Sequence, residues 1–122
     1  MKASSIAMLL LLSIPPLAHA GKQDAEVLLT RAQGAVAAAD RAGATQLAAT
    51  EYRTARDTLA RAQGLFDRRE WDESELEAAK AQADGRLAEA RSRQAKAETA
   101  ANELQTAIET LRAELLRQGE NQ

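Results

Sequence analysis

The stretch Thr50–Leu87, TEYRTARDTLARAQGLFDRREWDESELEAAKAQADGRL, decides the fold. Its first half places Tyr52, Ala55, Leu59, Ala62 and Phe66 at alternating steps of three and four, which is one stripe of a helix. Arg68–Arg69–Glu70–Trp71 interrupts the stripe as a tight turn, and a second helical pattern follows. The turn carries a dense start signal. Asp72 stands where it can cap free N–H groups, Glu75 sits three later to complete a capping box, and Leu76 can close a hydrophobic staple with Trp71.

Toward the N-terminus the same spacing recurs from Gln23 to Ala42. Ala25, Leu28, Ala32, Ala35, Ala39 and Ala42 form the stripe, Leu29 and Val36 widen it, and Gly43 is a usual left-handed stop. Gly34 lies inside this helix at a cost of about 1 kcal/mol against alanine; it could mark a break in the helix, and close packing against a neighbouring helix is the preferred reason for it. The linker Gly43–Ala49 is expected to hold a short turn that drops Leu47 into the core, and Thr50 to cap the second helix. That helix offers Arg53–Asp57 and Asp57–Arg61 as i, i+4 ion pairs.

Toward the C-terminus nothing stops the third helix between Asp72 and Gly119. One heptad frame carries through it: Leu76, Ala83, Leu87, Ala90, Ala97, Ala101, Leu104, Ile108, Leu111 and Leu115, interrupted by Lys80 and Gln94. Short connections make successive helices antiparallel neighbours, so helices one and two should lie beside about Asp72–Arg93. Leu104–Leu115 then projects beyond the bundle, unless helix one is offset far enough to cover it. An uncovered apolar seam marks self-association or a partner helix, with Leu104, Ile108, Leu111 and Leu115 as the contact.

The fold class is therefore all-α, an antiparallel three-helix arrangement with a long, coiled-coil-like C-terminal helix. Residues 21–49 form the first helix and linker, 50–93 the helical hairpin core, and 94–122 the C-terminal extension. Residues 1–20 read separately. Lys2, an apolar run Ile6–Leu12, Pro15–Pro16 and Ala18-His19-Ala20 have the pattern of a secretory signal peptide, with cleavage expected after Ala20. An uncleaved anchor is the other reading, but the apolar run is shorter than the ~20 residues that a spanning helix needs. With no cysteine at the junction, no lipid attachment is expected, and no stable membrane anchor after cleavage. The expected compartment is the periplasm.

Of the 16 basic residues only Lys2 is in that leader, leaving 15 against 18 acidic ones. So balanced a chain has no electrostatic footprint for nucleic acid. Residues 21–122 hold 25 alanines against one Trp, one Tyr and one Phe, so long thin helices around a narrow core are expected. They contain no histidine or cysteine, which removes the usual general base, the thiolate nucleophile and the ordinary zinc ligands. Neither Gly-x-Ser-x-Gly nor a glycine-rich phosphate loop occurs, so no enzyme, cofactor or catalytic residue is expected.

Three clusters have a functional and a structural reading. Glu70, Asp72, Glu73, Glu75 and Glu77 could ligate a hard cation or gather at the positive end of a helix, and the second is preferred because a calcium loop's glycine is missing. Arg86, Arg91, Arg93 and Lys96 could meet an anionic polymer or form a solvated face diluted by Glu89. Trp71 could be a ligand platform, although its place before the capping box favours packing.

Ala42-Gly43-Ala44, Leu47-Ala48, Glu51, Ala55, Leu59 and Ala62, then Trp71, Leu76, Ala79, Ala83, Asp84, Leu87-Ala88 and Ala90, resemble the bacterial domain-of-unknown-function family numbered 4398. The resemblance covers about Ala42 to Arg93. It implies export to the periplasm. Some family members are lipoproteins, and some precede a peptidoglycan-binding domain; this sequence lacks the lipobox cysteine and that second domain, so cell-wall binding is not carried over. The turn is also similar to half a tetratricopeptide repeat, with Leu65, Trp71, Ala78 and Ala81 near its packing positions and Arg69 in place of its glycine. That similarity implies a helical hairpin only. The expectation is a non-enzymatic periplasmic protein that acts by association with itself or with an envelope protein. The alternative is a small-ligand or cation-binding protein using the acidic helix start.

Overall fold

The computed structural model describes residues 18–122, with side-chain surroundings from Gly21 onward. The expected leader falls outside the described residues except for Ala18–Ala20, which form the first turn of a helix. Four helices follow one another: α1 (Ala18–Arg41), α2 (Ala44–Leu47), α3 (Ala49–Asp67) and α4 (Trp71–Glu120). α1 and α3 both pack along the first half of α4 and touch each other less. Gly21 lies beside Trp71, Gly85 beside Ala35 and Gly43 beside Lys96, so α1 runs parallel to α4. The Ser74–Ala62 and Thr58–Asp84 contacts run the other way, so α3 is antiparallel to both.

Small side chains dictate this packing. The covered face of α4 consists of Ser74, Ala78, Ala81, Gly85, Ala88 and Ser92, at steps of four and three. Ala25, Leu29, Ala32, Val36 and Ala39 of α1 and Ala55, Thr58 and Ala62 of α3 meet it. Among the described residues serine is the largest side chain fully enclosed, while Leu28, Leu59, Phe66 and Tyr52 are only partly buried around the rim. Backbones can therefore approach closely. At Gly85 a Cβ would stand 2.9 Å from the Ala35 carbonyl carbon and 3.0 Å from the Val36 nitrogen. The buried hydroxyls are paired: Ser74 donates to the Ala62 carbonyl at 2.9 Å and Ser92 to the Ala88 carbonyl at 2.8 Å.

Close packing therefore falls on a different glycine from the one expected. The close-packing explanation offered for Gly34 does not hold, because a Cβ there would meet nothing within 4 Å. Gly85 is the glycine that a neighbouring helix requires. The heptad frame through Leu76 and Leu87 is likewise not the face that α1 and α3 cover, since those leucines are 59% and 48% exposed. The covered face lies on the other side of α4, among residues too small to register as a hydrophobic stripe.

The connections differ in detail from expectation. Gly43, at φ 87°, ends α1 as expected, and its N–H donates to the Asp40 carbonyl. In α2 it is Ala44 that is buried, with Ala48 just after it; Leu47 is 42% exposed and does not enter the core. α3 begins at Ala49 behind Ala48, whose carbonyl accepts from the Tyr52 N–H, so Thr50 is already helical and cannot cap.

Backbone hydrogen bonds close the α3–α4 turn. Arg69 takes the left-handed conformation, φ 63°. Its N–H bonds the Phe66 carbonyl, and the Glu70 N–H bonds the Leu65 carbonyl, which is a complete Schellman pattern. The Ser74 N–H then donates to the Glu70 carbonyl, which makes Glu70 the N-cap and Trp71 the first helical residue. The capping box of Asp72 and Glu75 does not form, because Asp72 lies inside the first turn and no side chain caps this end. Nor does Trp71 staple to the exposed Leu76. Its ring packs edge-on against Phe66, 4.9 Å between centroids and 67° between planes.

Candidate functional site

The last buried residue of α4 is Ser92, yet the helix continues to Glu120. From Lys96 onward it extends about 37 Å at the helical rise of 1.5 Å per residue. α1 ends level with Lys96 and does not cover this arm. Leu104, Leu111 and Leu115 are 64%, 65% and 68% exposed, and Ile108 is half-buried. The four residues expected to carry a contact therefore share one uncovered face.

That face does not stop at the arm. Leu76 and Leu87 belong to the same heptad frame, so an exposed leucine seam runs along the outside of α4 from Leu76 to Leu115. Beside its lower end, α3 and α4 enclose an open groove of about 640 Å³. Ala60, Leu65 and Leu76 give it apolar walls, and Arg61, Arg68, Glu73 and Glu77 its charges.

Ion pairs fix the α3 flank of the seam. Glu77 lies 2.6 Å from Lys80 Nζ and 3.4 Å from Arg61 Nε. The Lys80 hydrogen bond, helped by the Arg61 charge, holds the Glu77 carboxyl below its usual range despite partial burial. The Thr58 hydroxyl shares its proton between the Thr54 carbonyl at 2.9 Å and Asp84 Oδ2 at 3.1 Å, and accepts from Arg61 Nη2 at 3.2 Å. Arg61 thus turns across to α4, and the expected pairs of Asp57 with Arg53 and Arg61 do not close. At the other end Asp40 accepts from Tyr52 Oη at 3.2 Å and Thr45 Oγ1 at 3.1 Å. Burial and that bond raise the Tyr52 phenol above its ordinary value.

The other clusters do not converge. Among the acids at the start of α4, Glu70 pairs with Arg68 and Glu77 with Lys80 and Arg61. Among the described residues no three acidic side chains come together as a metal site would require. Of the basic residues, Arg93 pairs with Glu89, and Arg86 and Arg91 stand on opposite flanks of the seam. Trp71 is engaged with Phe66. What the arrangement offers chemically is apolar area along a rigid helix, bordered by charge. Among the described residues no helix is long and apolar enough to cross a membrane.

Residues 27–104 match the family model described as Domain of unknown function (DUF4398). The match takes in most of α1, all of α2 and α3, and α4 as far as Leu104. No curated protein and no solved structure matches the chain.

Proposed function

We propose a role for a chain that, by this match, belongs to the DUF4398 family: an exported, non-enzymatic helical protein acting by protein–protein association in the periplasm. Leu104, Ile108, Leu111 and Leu115 carry the contact. The supporting observation is the exposure of the three leucines, with Ile108 half-buried among them, on an arm that no other helix among the described residues covers. A contiguous apolar strip of this length loses free energy in water and gains it against a partner helix, at roughly 25 cal/mol per Å² covered. The signal-like residues 1–20 support export, and the absence of histidine and cysteine from 21–122 supports a non-catalytic role.

Ile108→Glu combined with Leu111→Glu tests this reading. The double variant should lose self-assembly or capture of its envelope partner while keeping its helical content. If both assembly and capture persist, the arm is not the contact surface.

A small-ligand or cation-binding role is the second reading, and the groove between α3 and α4 is what favours it. Trp71, the chain's only tryptophan, begins the turn of helix that lines this groove. A change in its fluorescence on adding calcium or wall fragments would support the second reading, and a flat titration would remove it.

A further inference from the structure

We propose that the occupant of the outer face of α4 is a second copy of this chain lying antiparallel, so that each arm covers the other copy's three-helix body. This inference rests on the association reading above and names the partner. It starts from the ends of the exposed seam, Leu76 and Leu115. The antiparallel register that covers the whole seam sets Leu76 against the partner's Leu115. The remaining layers then follow: Ala83 meets the partner's Ile108, and Leu87 meets the partner's Leu104. Lys80 meets the partner's Leu111 and Ala90 the partner's Ala101, and at the two-fold axis each Gln94 lies against the partner's Ala97, whose small side chain leaves room for it. The contact is isologous, so it closes as a dimer.

Charge selects the orientation. Antiparallel pairing brings the α3-side flanks of the two helices together. Glu77 then faces the partner's Arg112, and Arg91 faces the partner's Glu98, each pair occurring twice by symmetry. On the other flank Arg86 and Arg93 face alanines. A parallel, in-register pair keeps one attraction, Arg93 with the partner's Glu98, against two repulsions. It sets Lys80 against its own copy within the seam and Arg86 against the partner's Arg91, like charges at both levels.

Leu116 supplies an independent observation. It is the most exposed large apolar side chain among the described residues, at 72%, and it lies outside the seam. It is four residues on from Arg112, on the flank that antiparallel pairing turns toward the partner's α3. There it comes level with the groove walled by Ala60 and Leu65. Parallel pairing leaves Leu116 in water, at the far end of the helix from that groove.

The chain has no cysteine, so introduced thiols report proximity cleanly. Leu87→Cys and Leu104→Cys are made separately in the full chain and oxidised alone and mixed in equal amounts. The proposal predicts a disulfide-linked dimer in the mixture and little from either alone. Cross-linking by Leu104→Cys alone would overturn the antiparallel geometry in favour of paired parallel arms while leaving association intact. No cross-link in the mixture overturns the register. A second measurement uses charge: Arg91→Glu and Glu98→Arg should each raise the dimer dissociation constant about tenfold, and the combined variant should restore it. Unchanged constants in both single variants also overturn the register. A chain monomeric at every concentration overturns the second-copy assignment, and partner capture with the Ile108→Glu, Leu111→Glu variant then judges the association reading separately.

Discussion

Gly85 of α4 sits directly against the backbone of Ala35 in α1, with room for no Cβ: one placed there would stand 2.9 Å from the Ala35 carbonyl carbon. This contact sets how closely α1 and α4 approach. Because backbone rather than a mobile side chain would have to move, Gly85→Ala should destabilise the chain by about 2 kcal/mol, even after its helix-propensity gain of about 1 kcal/mol. Gly34→Ala, facing open space, should stabilise by about 1 kcal/mol. Chemical denaturation of the two variants should therefore give opposite signs. Equal effects would mean that the α1–α4 approach is looser than described.

Arg69 and Gly43 form a second opposed pair. Both residues are left-handed, at φ 63° and 87°, but only one is a glycine. Arg69→Gly should stabilise by about 1 kcal/mol by removing Cβ strain from the Schellman turn, and Gly43→Ala should destabilise by a similar amount. Thermal melts distinguish them.

These pairs also indicate what the amino-acid order reveals. The helical stripes of α1 and α3 are legible because Leu28, Leu29, Val36, Leu59 and Phe66 mark them with bulk. The covered face of α4 is not, because Ser74, Ala78, Gly85 and Ser92 carry little hydropathy, while Leu76 and Leu87 advertise the opposite face. The hairpin turn is legible in place but not in mechanism. Arg69 gives no cue to a left-handed residue, and once the backbone closes there, Trp71 is already helical and the capping box is pre-empted. Of the candidate contact, the exposure of Leu104–Leu115 follows from helix lengths alone. The contribution of Leu116 and the α3–α4 groove needs the three-dimensional arrangement.

Glu77 should contribute a pH-dependent stability. Its hydrogen bond to Lys80 lowers the folded carboxyl's affinity for a proton below that of the unfolded chain. The stabilisation is therefore fully present above about pH 4.3, the ordinary glutamate value, and is lost as pH falls through the lower folded value. Melting temperatures measured from neutral pH down to about pH 3 should fall less steeply for Glu77→Gln than for the unaltered chain in that window. Parallel curves would show that the Lys80 and Arg61 contacts add nothing to folding.

The account rests most heavily on the arm as an association surface whose occupant is a second copy. The direct test is the absolute mass in solution, by light scattering, of residues 21–122 beside a version ending at Gln94, just after the last buried position of α4. The longer chain should have twice its formula mass and the shorter one its formula mass. Both at their formula mass across the accessible concentration range would contradict the account.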